Sequence, residues 1–152
     1  MNTATDPHKR VIACGNPFMG NDGAGIAVLN LLHENNPDID AVDAGVGGLG
    51  LIPLMEECTK VVVVDAMVGI GNRIGDVRIF RGNPPARGGT LALHEIDLGD
   101  VIAVARELGI PTEVVTVGIE VGSVEEYSDR LDPAVEEGVR AAYACVLREM
   151  KE

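Results

Sequence analysis

Residues 60–67 read KVVVVDAM, a stretch in which four consecutive valines, Val61–Val64, come directly before an aspartate, Asp65. A short uninterrupted run of β-branched residues is typical of a strand that is buried on both of its faces. Such strands lie at the centre of largely parallel sheets that are covered by helices on both sides. The stretch therefore predicts a central strand over Lys60–Met67.

The sequence on either side of this strand alternates between strand and helix patterns. Further strands are predicted at Arg10–Cys14, Ile39–Ala44 and Glu113–Glu120, and Asp76–Phe80 is predicted to return as an antiparallel neighbour. Helices are predicted up to Asn35, up to Met55, from Asp97 to Leu108, and after Asp132-Pro133, with the two aspartates as caps. We therefore predict one three-layer α/β/α domain over residues 1–152, with a five-stranded, mostly parallel mixed sheet.

The composition fits such a domain and excludes several classes of partner. Aromatic residues make up only 3% of the chain and tryptophan is absent, so the core must be aliphatic. The formal net charge is −12. Because an acidic surface repels phosphate backbones and anionic lipids, we expect neither nucleic acid nor membrane as a partner.

The cysteines and the N-terminal residues bear on the cellular compartment. Cys14, Cys58 and Cys145 are odd in number and include no C-x-x-C pair, which excludes a disulfide framework and a thiolate zinc site. Residues 1–9 lack the apolar core of a signal peptide, and the longest apolar run is too short to span a bilayer. These features predict a cytoplasmic protein.

Three reactive side chains are predicted at the ends of strands. Asp22 lies in the loop after the first strand, Asp65 ends the valine run, and His94 precedes the helix that begins near Asp97. In sheets of this kind the ligand site forms at the carboxyl ends of the strands. One histidine and two carboxylates suit Zn²⁺, Ni²⁺ or Fe²⁺ with coordination positions left open. The sequence therefore predicts a metal-binding catalytic site formed by these three residues.

Each of the three residues also has a simpler interpretation. Asp22 could cap the helix that begins at Gly23, because aspartate before glycine is frequent at helix starts. Asp65 could cap a helix or fix a loop. His94, beside Glu95 in a polar stretch, could be an exposed loop residue.

The glycine-rich stretch Gly15–Gly25 allows a dinucleotide site as a second interpretation. Glycines between a strand and a helix are typical of phosphate-binding loops, and Asp43 follows about 20 residues later, where a ribose-binding acid would lie. However, neither G-x-G-x-x-G/A nor G-K-[ST] can be placed in the sequence. Asp22 would also put negative charge where a pyrophosphate needs bare amides.

Longer motifs are similar to those of a known family. Residues 14–25, CGNPFMGNDGAG, resemble the opening motif of the hydrogenase maturation endopeptidases. The resemblance continues through Asp43-Ala44-Gly45, through VVVVDA at 61–66 and through His94, and ends with VGIE at 117–120 and the helix after Leu131-Asp132-Pro133. It covers nearly the whole chain in the expected order.

The resemblance assigns roles to individual residues. The family has an acid in the first loop, an aspartate closing the third strand and a later histidine, which together bind metal. These match Asp22, Asp65 and His94. Many members carry two adjacent acids in the first loop, whereas this chain has Asn21-Asp22. The ligand is retained, and one nearby charge is lost.

The resemblance also implies a substrate and a cofactor. Members remove a short C-terminal extension from the large-subunit precursor of a [NiFe] hydrogenase, after the cysteine motif that holds nickel and only once nickel is inserted. The nickel arrives with the precursor, so no resident metal is required. Two carboxylates and a neutral histidine would balance one dication. The metal could polarise the scissile carbonyl or activate a water, with a carboxylate as base.

Two other functions remain open from the sequence. One is a nucleotide-binding α/β enzyme, and the other is a non-catalytic nickel-binding factor for hydrogenase assembly.

Overall fold

A computed structural model of the chain describes residues 8–16, 18, 20–85, 97–122 and 130–152. The paired prolines and paired glycines of Gly82–Thr90 predict an irregular segment, which lies partly outside these ranges. His94 lies wholly outside them. Within the described ranges, no helix is long and apolar enough to cross a membrane.

The elements follow the order that the sequence predicts. The strands are β1 (Lys9–Ala13), β2 (Ala41–Asp43), β3 (Lys60–Met67), β4 (Val77–Phe80) and β5 (Glu113–Glu120). The helices are α1 (Ala24–Asn35), α2 (Leu51–Glu56), α3 (Leu98–Glu107) and α4 (Pro133–Met150). Short 3₁₀ turns at Gly20–Gly23 and Gly48–Gly50 lead into α1 and α2.

The strands form one mixed sheet in the order β2-β1-β3-β5-β4. β2, β1, β3 and β5 run parallel to one another, and β4 pairs with β5 in the antiparallel direction. The central position of β3 is confirmed, and all eight of its residues are buried. The predicted antiparallel direction of β4 is also correct, but its neighbour is β5, which lies between β4 and β3.

Two helices cover each face of the sheet, which confirms the three-layer α/β/α arrangement. Val62 and Val64 of β3 pack with α1 and α4 on one face. Val61 and Val63 pack with α2 and α3 on the other face. Alternate side chains of a strand point to opposite faces, so the uninterrupted valine run supplies both halves of the core. Among the described residues, the buried apolar side chains are aliphatic or sulfur-containing, as the composition predicts.

The helix starts differ from the prediction in one respect. Asp97 and Asp132 occupy the N-cap positions of α3 and α4, but neither side chain makes a cap hydrogen bond to its own helix. The carboxylate of Asp132 instead accepts a hydrogen bond from Asn21 Nδ2. The two residues thus mark the helix boundaries without capping them.

A buried ion pair, supported by an exposed arginine, joins the amino edge of the sheet to the end of α4. Lys60, the first residue of β3, donates from Nζ to the backbone oxygen of Glu149 at 2.8 Å and lies 3.3 Å from its Oε1. Arg81 donates to both carboxylate oxygens of Glu149, at 3.0 and 2.6 Å. The hydrogen bonds from Arg81 lower the pKa of Glu149 below its usual value, against the effect of burial. The carboxylate therefore neutralises a lysine that is only 4% exposed.

Replacing Glu149 with glutamine should destabilise the fold by about 3 kcal/mol, because removing one partner leaves the Lys60 ammonium buried without its counter-charge. Urea unfolding at pH 7 measures the loss. The matched control is Glu137→Gln, an exposed position on the same helix, which should change stability by less than about 0.5 kcal/mol.

The stability difference between the wild type and Glu149→Gln should depend on pH. Since the folded-state pKa of Glu149 is depressed, its contribution is complete above the unfolded-state value of about 4.3 and is lost as the pH falls through the folded-state pKa. The difference in unfolding free energy between wild type and Glu149→Gln should therefore narrow in acid. A difference that stays constant down to the acid limit of folding would contradict this assignment.

Candidate active site

The first loop is held between two neighbouring strands of the sheet. Cys14 donates its backbone N–H to the oxygen of Val64 at 2.9 Å, which extends the pairing of β1 with β3. Gly15 donates to the oxygen of Gly45, in the loop after β2, at 2.7 Å. The loops that leave β1 and β2 are therefore fixed side by side at the carboxyl edge of the sheet.

Two glycines of the first loop are required by close backbone contacts. A Cβ atom at Gly25 would lie 2.4 Å from the oxygen of Cys14 and 2.7 Å from that of Val64. A Cβ atom at Gly15 would lie 2.1 Å from the oxygen of Asp22. Helix α1 therefore begins directly against the ends of β1 and β3. These glycines allow backbone to meet backbone, which explains their presence without a phosphate ligand.

Asp22 lies in the 3₁₀ turn that precedes α1 and is 4% exposed. Its Oδ2 accepts a hydrogen bond from the backbone N–H of Asn16 at 3.0 Å. The N-cap of α1 is Gly23, which makes no side-chain cap hydrogen bond. The alternative role of Asp22 as a helix cap does not fit this geometry, and its carboxylate instead closes the first loop.

Asp65 lies within β3, opposite Gly118 of β5, and is 5% exposed. Because side chains alternate along a strand, Asp65 shares the face of Val61 and Val63, the face covered by α2 and α3. Its position inside a buried strand does not fit a helix cap. The strand also contacts the 3₁₀ turn that carries Asp22. Asp65 in β3 and Asp22 in the turn that follows β1 therefore lie in neighbouring segments of the fold.

The third member of the predicted set, His94, lies outside the described residues. Within the ranges that the structure describes, no three His, Cys, Asp or Glu side chains form a group that could hold a metal ion. The two carboxylates, with oxygen donors, suit a divalent transition metal only when a further ligand completes the set. His94 therefore remains a predicted ligand.

Glu120 is a buried carboxylate at this edge that the sequence reasoning did not select. It is the last residue of β5 and is 5% exposed. Its Oε1 accepts hydrogen bonds from the N–H groups of Ile70 and Gly71 at 2.7 and 2.9 Å, and its Oε2 accepts one from Gly122 at 2.9 Å. The signal that selected Asp65, an acid at the end of a buried strand, also applies to Glu120.

The surroundings of Glu120 keep it ionised. Burial would raise the pKa of this carboxyl, but hydrogen bonds from the backbone amides around it, Gly71 and Gly122 foremost, bring the pKa below its usual value. One carboxylate thereby ties the loop after β3 to the loop after β5. Both loops border the strand ends next to Asp65. Glu120 therefore holds in place the two loops that border the candidate site.

Three exposed apolar side chains lie in the two loops that leave β1 and β2. Phe18, in the first loop, is 71% exposed, and Val46 and Leu49, in the loop after β2, are 52% and 48% exposed. The hydrogen bond between Gly15 and Gly45 holds these two loops together. We name Phe18, Val46 and Leu49 the apolar rim.

The chain reverses its direction of winding between β1 and β3, since β2 lies on one side of β1 and the later strands lie beyond β3. Ligands of open α/β sheets bind at this switch point, outside the carboxyl ends of the strands. The fold and the site thus define an open α/β protein with an acidic site at the switch point of its sheet.

Comparison with known proteins gives the family. The family model for hydrogenase maturation proteases matches residues 26–149. The hydrogenase expression/formation protein HupD of Rhodobacter capsulatus is 30% identical over 148 residues, which cover 93% of this chain and 70% of that protein. This chain belongs to the hydrogenase maturation protease family, whose members are endopeptidases, and it is a hydrolase.

Solved structures show the same fold. The hydrogenase maturating endopeptidase HybD from E. coli superimposes with a TM-score of 0.79 at 23% identity, over 95% of this chain and 92% of that one. The [NiFe] hydrogenase maturation protease HycI from Thermococcus kodakarensis gives a TM-score of 0.75 at 20% identity, over 98% of this chain and 96% of that one.

Replacing Glu120 with glutamine should weaken the connection between the loop after β3 and the loop after β5. An amide offers only one oxygen acceptor, so at least one of the three backbone N–H groups faces an N–H₂ group, at a cost of about 1–3 kcal/mol. Hydrogen exchange at the amides of Ile70, Gly71 and Gly122 should accelerate.

The control for this substitution is Glu113→Gln, at the exposed first position of the same strand. It should leave the three amides unchanged. Equal exchange rates in wild type and Glu120→Gln would show that the carboxylate does not hold these loops.

Proposed function

We propose that this chain removes a C-terminal extension from the nickel-loaded large-subunit precursor of a [NiFe] hydrogenase, in the cytoplasm. The observation that carries the proposal is the pair of buried carboxylates in neighbouring segments, Asp22 in the turn that follows β1 and Asp65 within the adjacent parallel strand β3. Membership of the hydrogenase maturation protease family supports the reaction. The nickel belongs to the substrate in this proposal.

The charges of the site favour a cationic substrate group. Burying ionised carboxylates is costly unless a cation or hydrogen-bond donors compensate them. Asp22 and Asp65, with a neutral His94, would balance one dication, and their oxygen and nitrogen donors suit Ni²⁺. Binding the nickel of the precursor would bring the peptide bond next to the metal site to the carboxyl edge of the sheet. Precursor without nickel would lack this attraction.

Hydrolysis then requires water and a base. The water oxygen attacks the scissile carbonyl carbon, the carbon–nitrogen bond breaks, and a proton passes to the leaving amine. One of the two aspartates would accept the proton of the attacking water. Their burial excludes bulk solvent, which strengthens electrostatic interactions at the site.

The geometry argues against the nucleotide-binding alternative. The backbone N–H of Asn16, which a phosphate would need, already donates to Asp22 Oδ2. Gly25 meets two backbone carbonyls, so its lack of a side chain is explained by packing and needs no phosphate ligand. The non-catalytic assembly factor has the same site requirements as the protease and differs from it only in lacking cleavage.

Cleavage should depend on nickel in the substrate and on both aspartates of the protein. Purified precursor loaded with nickel should be shortened, and the same precursor without nickel should stay intact, as measured by mass spectrometry of the large subunit. Asp22→Asn and Asp65→Asn should each lower the cleavage rate at least about 100-fold, since loss of a properly placed charged group commonly has this effect. Both substitutions preserve side-chain shape.

Asp38→Asn is the matched control, because Asp38 is exposed in the connection between α1 and β2 at the opposite edge of the sheet. It should cleave at the wild-type rate. Full cleavage of nickel-free precursor, or wild-type activity in Asp65→Asn, would refute the proposed mechanism. Binding of nickel-loaded precursor without cleavage by the wild type would favour the assembly factor.

The apolar rim should contribute to capture of the precursor. Phe18→Ser should raise the precursor concentration for half-maximal cleavage by about tenfold, the equivalent of burying part of one aromatic side chain on binding. The maximal rate and the thermal unfolding midpoint should change little, because Phe18 is exposed.

Leu108→Ser serves as the comparison for Phe18→Ser. Leu108 is 64% exposed at the end of α3, near the amino edge of the sheet where β5 begins. The Leu108→Ser substitution should leave the precursor concentration for half-maximal cleavage unchanged. An equal response of the two variants would mean that the apolar rim has no special part in binding.

A further inference from the structure

Asn21 is a buried amide in the same 3₁₀ turn that carries Asp22. It is 4% exposed, so both its oxygen and its nitrogen require hydrogen-bond partners within the protein. A single distant residue, Asp132, interacts with both atoms.

The two residues form a closed pair of hydrogen bonds. Asn21 Nδ2 donates to Asp132 Oδ2 at 3.0 Å, and the backbone N–H of Asp132 donates to Asn21 Oδ1 at 3.0 Å. Asp132 is the N-cap residue of α4, yet its side chain makes no hydrogen bond to that helix. An N-cap aspartate usually stabilises its helix through such a bond. Here the carboxylate is used to hold the first loop.

We infer that the Asn21–Asp132 pair is a positioning device for Asp22, joining the turn before α1 to the start of α4. The inference rests on the proposed function for the role of Asp22 in the reaction. The amide of Asn21 donates to the carboxylate and accepts from the backbone N–H at once, which a carboxylate at this position cannot do. An aspartate there would keep the acceptor and replace the donor with a second negative charge about 3 Å from the first.

The constraint reaches Asp22 through the turn itself. Asp22 follows Asn21 directly, and its Oδ2 accepts the N–H of Asn16 at 3.0 Å. The turn also contacts β3 and the start of α1. Asn21 thus fixes the turn on the side of α4, while Asn16 fixes the Asp22 carboxylate on the side of the first loop. A turn released from Asp132 would allow the carboxylate to shift.

Amide exchange at Asn16 tests the inference without reference to cleavage. In Asn21→Asp the N–H of Asn16 should exchange about tenfold faster, because coupled contacts of this kind change local equilibria by roughly that factor. In the double variant Asn21→Asp/Asp132→Asn the donor and acceptor are exchanged, and the rate should return to within about twofold of wild type.

The control amide is Gly45, which donates to Asp43 Oδ1 in the neighbouring loop at 2.7 Å and should be unchanged in every variant. Asp132→Ala removes only an exposed carboxylate, so it should fold and should also accelerate exchange at Asn16. If Asn21→Asp does not fold, the exchange rate of the Asn16 amide in Asp132→Ala still tests the inference.

Cleavage of nickel-loaded precursor provides the second readout. At saturating protease, the single-turnover rate of Asn21→Asp should fall about tenfold and should recover in the double variant. The thermal unfolding midpoints of the variants should not follow the order of these cleavage rates. Unchanged Asn16 exchange in Asn21→Asp and Asp132→Ala, or a double variant that shows the sum of the single effects, would overturn the inference. Failure of the wild type to cleave would refute the proposed function, while Asn16 exchange would still decide the positioning role.

Discussion

The structure depends on the close approach of three backbone segments, the end of β1, the end of β3 and the start of α1. Gly25 lies against the carbonyl oxygens of Cys14 and Val64, so no side chain fits between the helix and the sheet. Helix α1 can therefore begin immediately above the two strands whose ends carry the site. Any larger residue at position 25 would displace the turn that holds Asp22. The packing of the fold and the geometry of the site are set by this contact.

Buried charges occur at both edges of the sheet, and they are stabilised in different ways. At the amino edge, Lys60, Arg81 and Glu149 compensate one another, so this cluster contributes to stability and has no open position for a ligand. At the carboxyl edge, Glu120 is compensated by backbone amides. Two further buried acids, Asp22 and Asp65, lie in the turn before α1 and within β3.

The site is supported by loops that are tied to one another by single polar residues. Glu120 links the loops after β3 and β5, and Asn21 links the first loop to α4. The first loop and the loop after β2 are joined by the backbone of Gly15 and Gly45. Each link spans residues that are far apart in sequence. Such cross-connections hold the candidate catalytic groups in place, while the apolar rim stays exposed.

The sequence by itself determined the order of the elements, the central strand and the acids at the strand ends. These follow from local patterns: the valine run of Val61–Val64, the apolar spacing in the helices, and Asp65 at the close of an apolar segment. Local patterns also identified the family motifs. They did not reveal the neighbour of β4, because the insertion of β5 beside β3 depends on a strand that comes more than 30 residues later.

Only the tertiary structure decided which polar residues act together. Asp132 was predicted as a helix cap, but its carboxylate binds Asn21, which is adjacent in space and 111 residues away in sequence. Glu120 closes an apolar strand in the sequence, as Asp65 does, but the amides that it binds belong to two loops that meet only when β3 and β5 pair. Periodicity records which face of an element is buried. It does not record which partner a buried polar group finds, since that choice is made by the three-dimensional packing of distant segments.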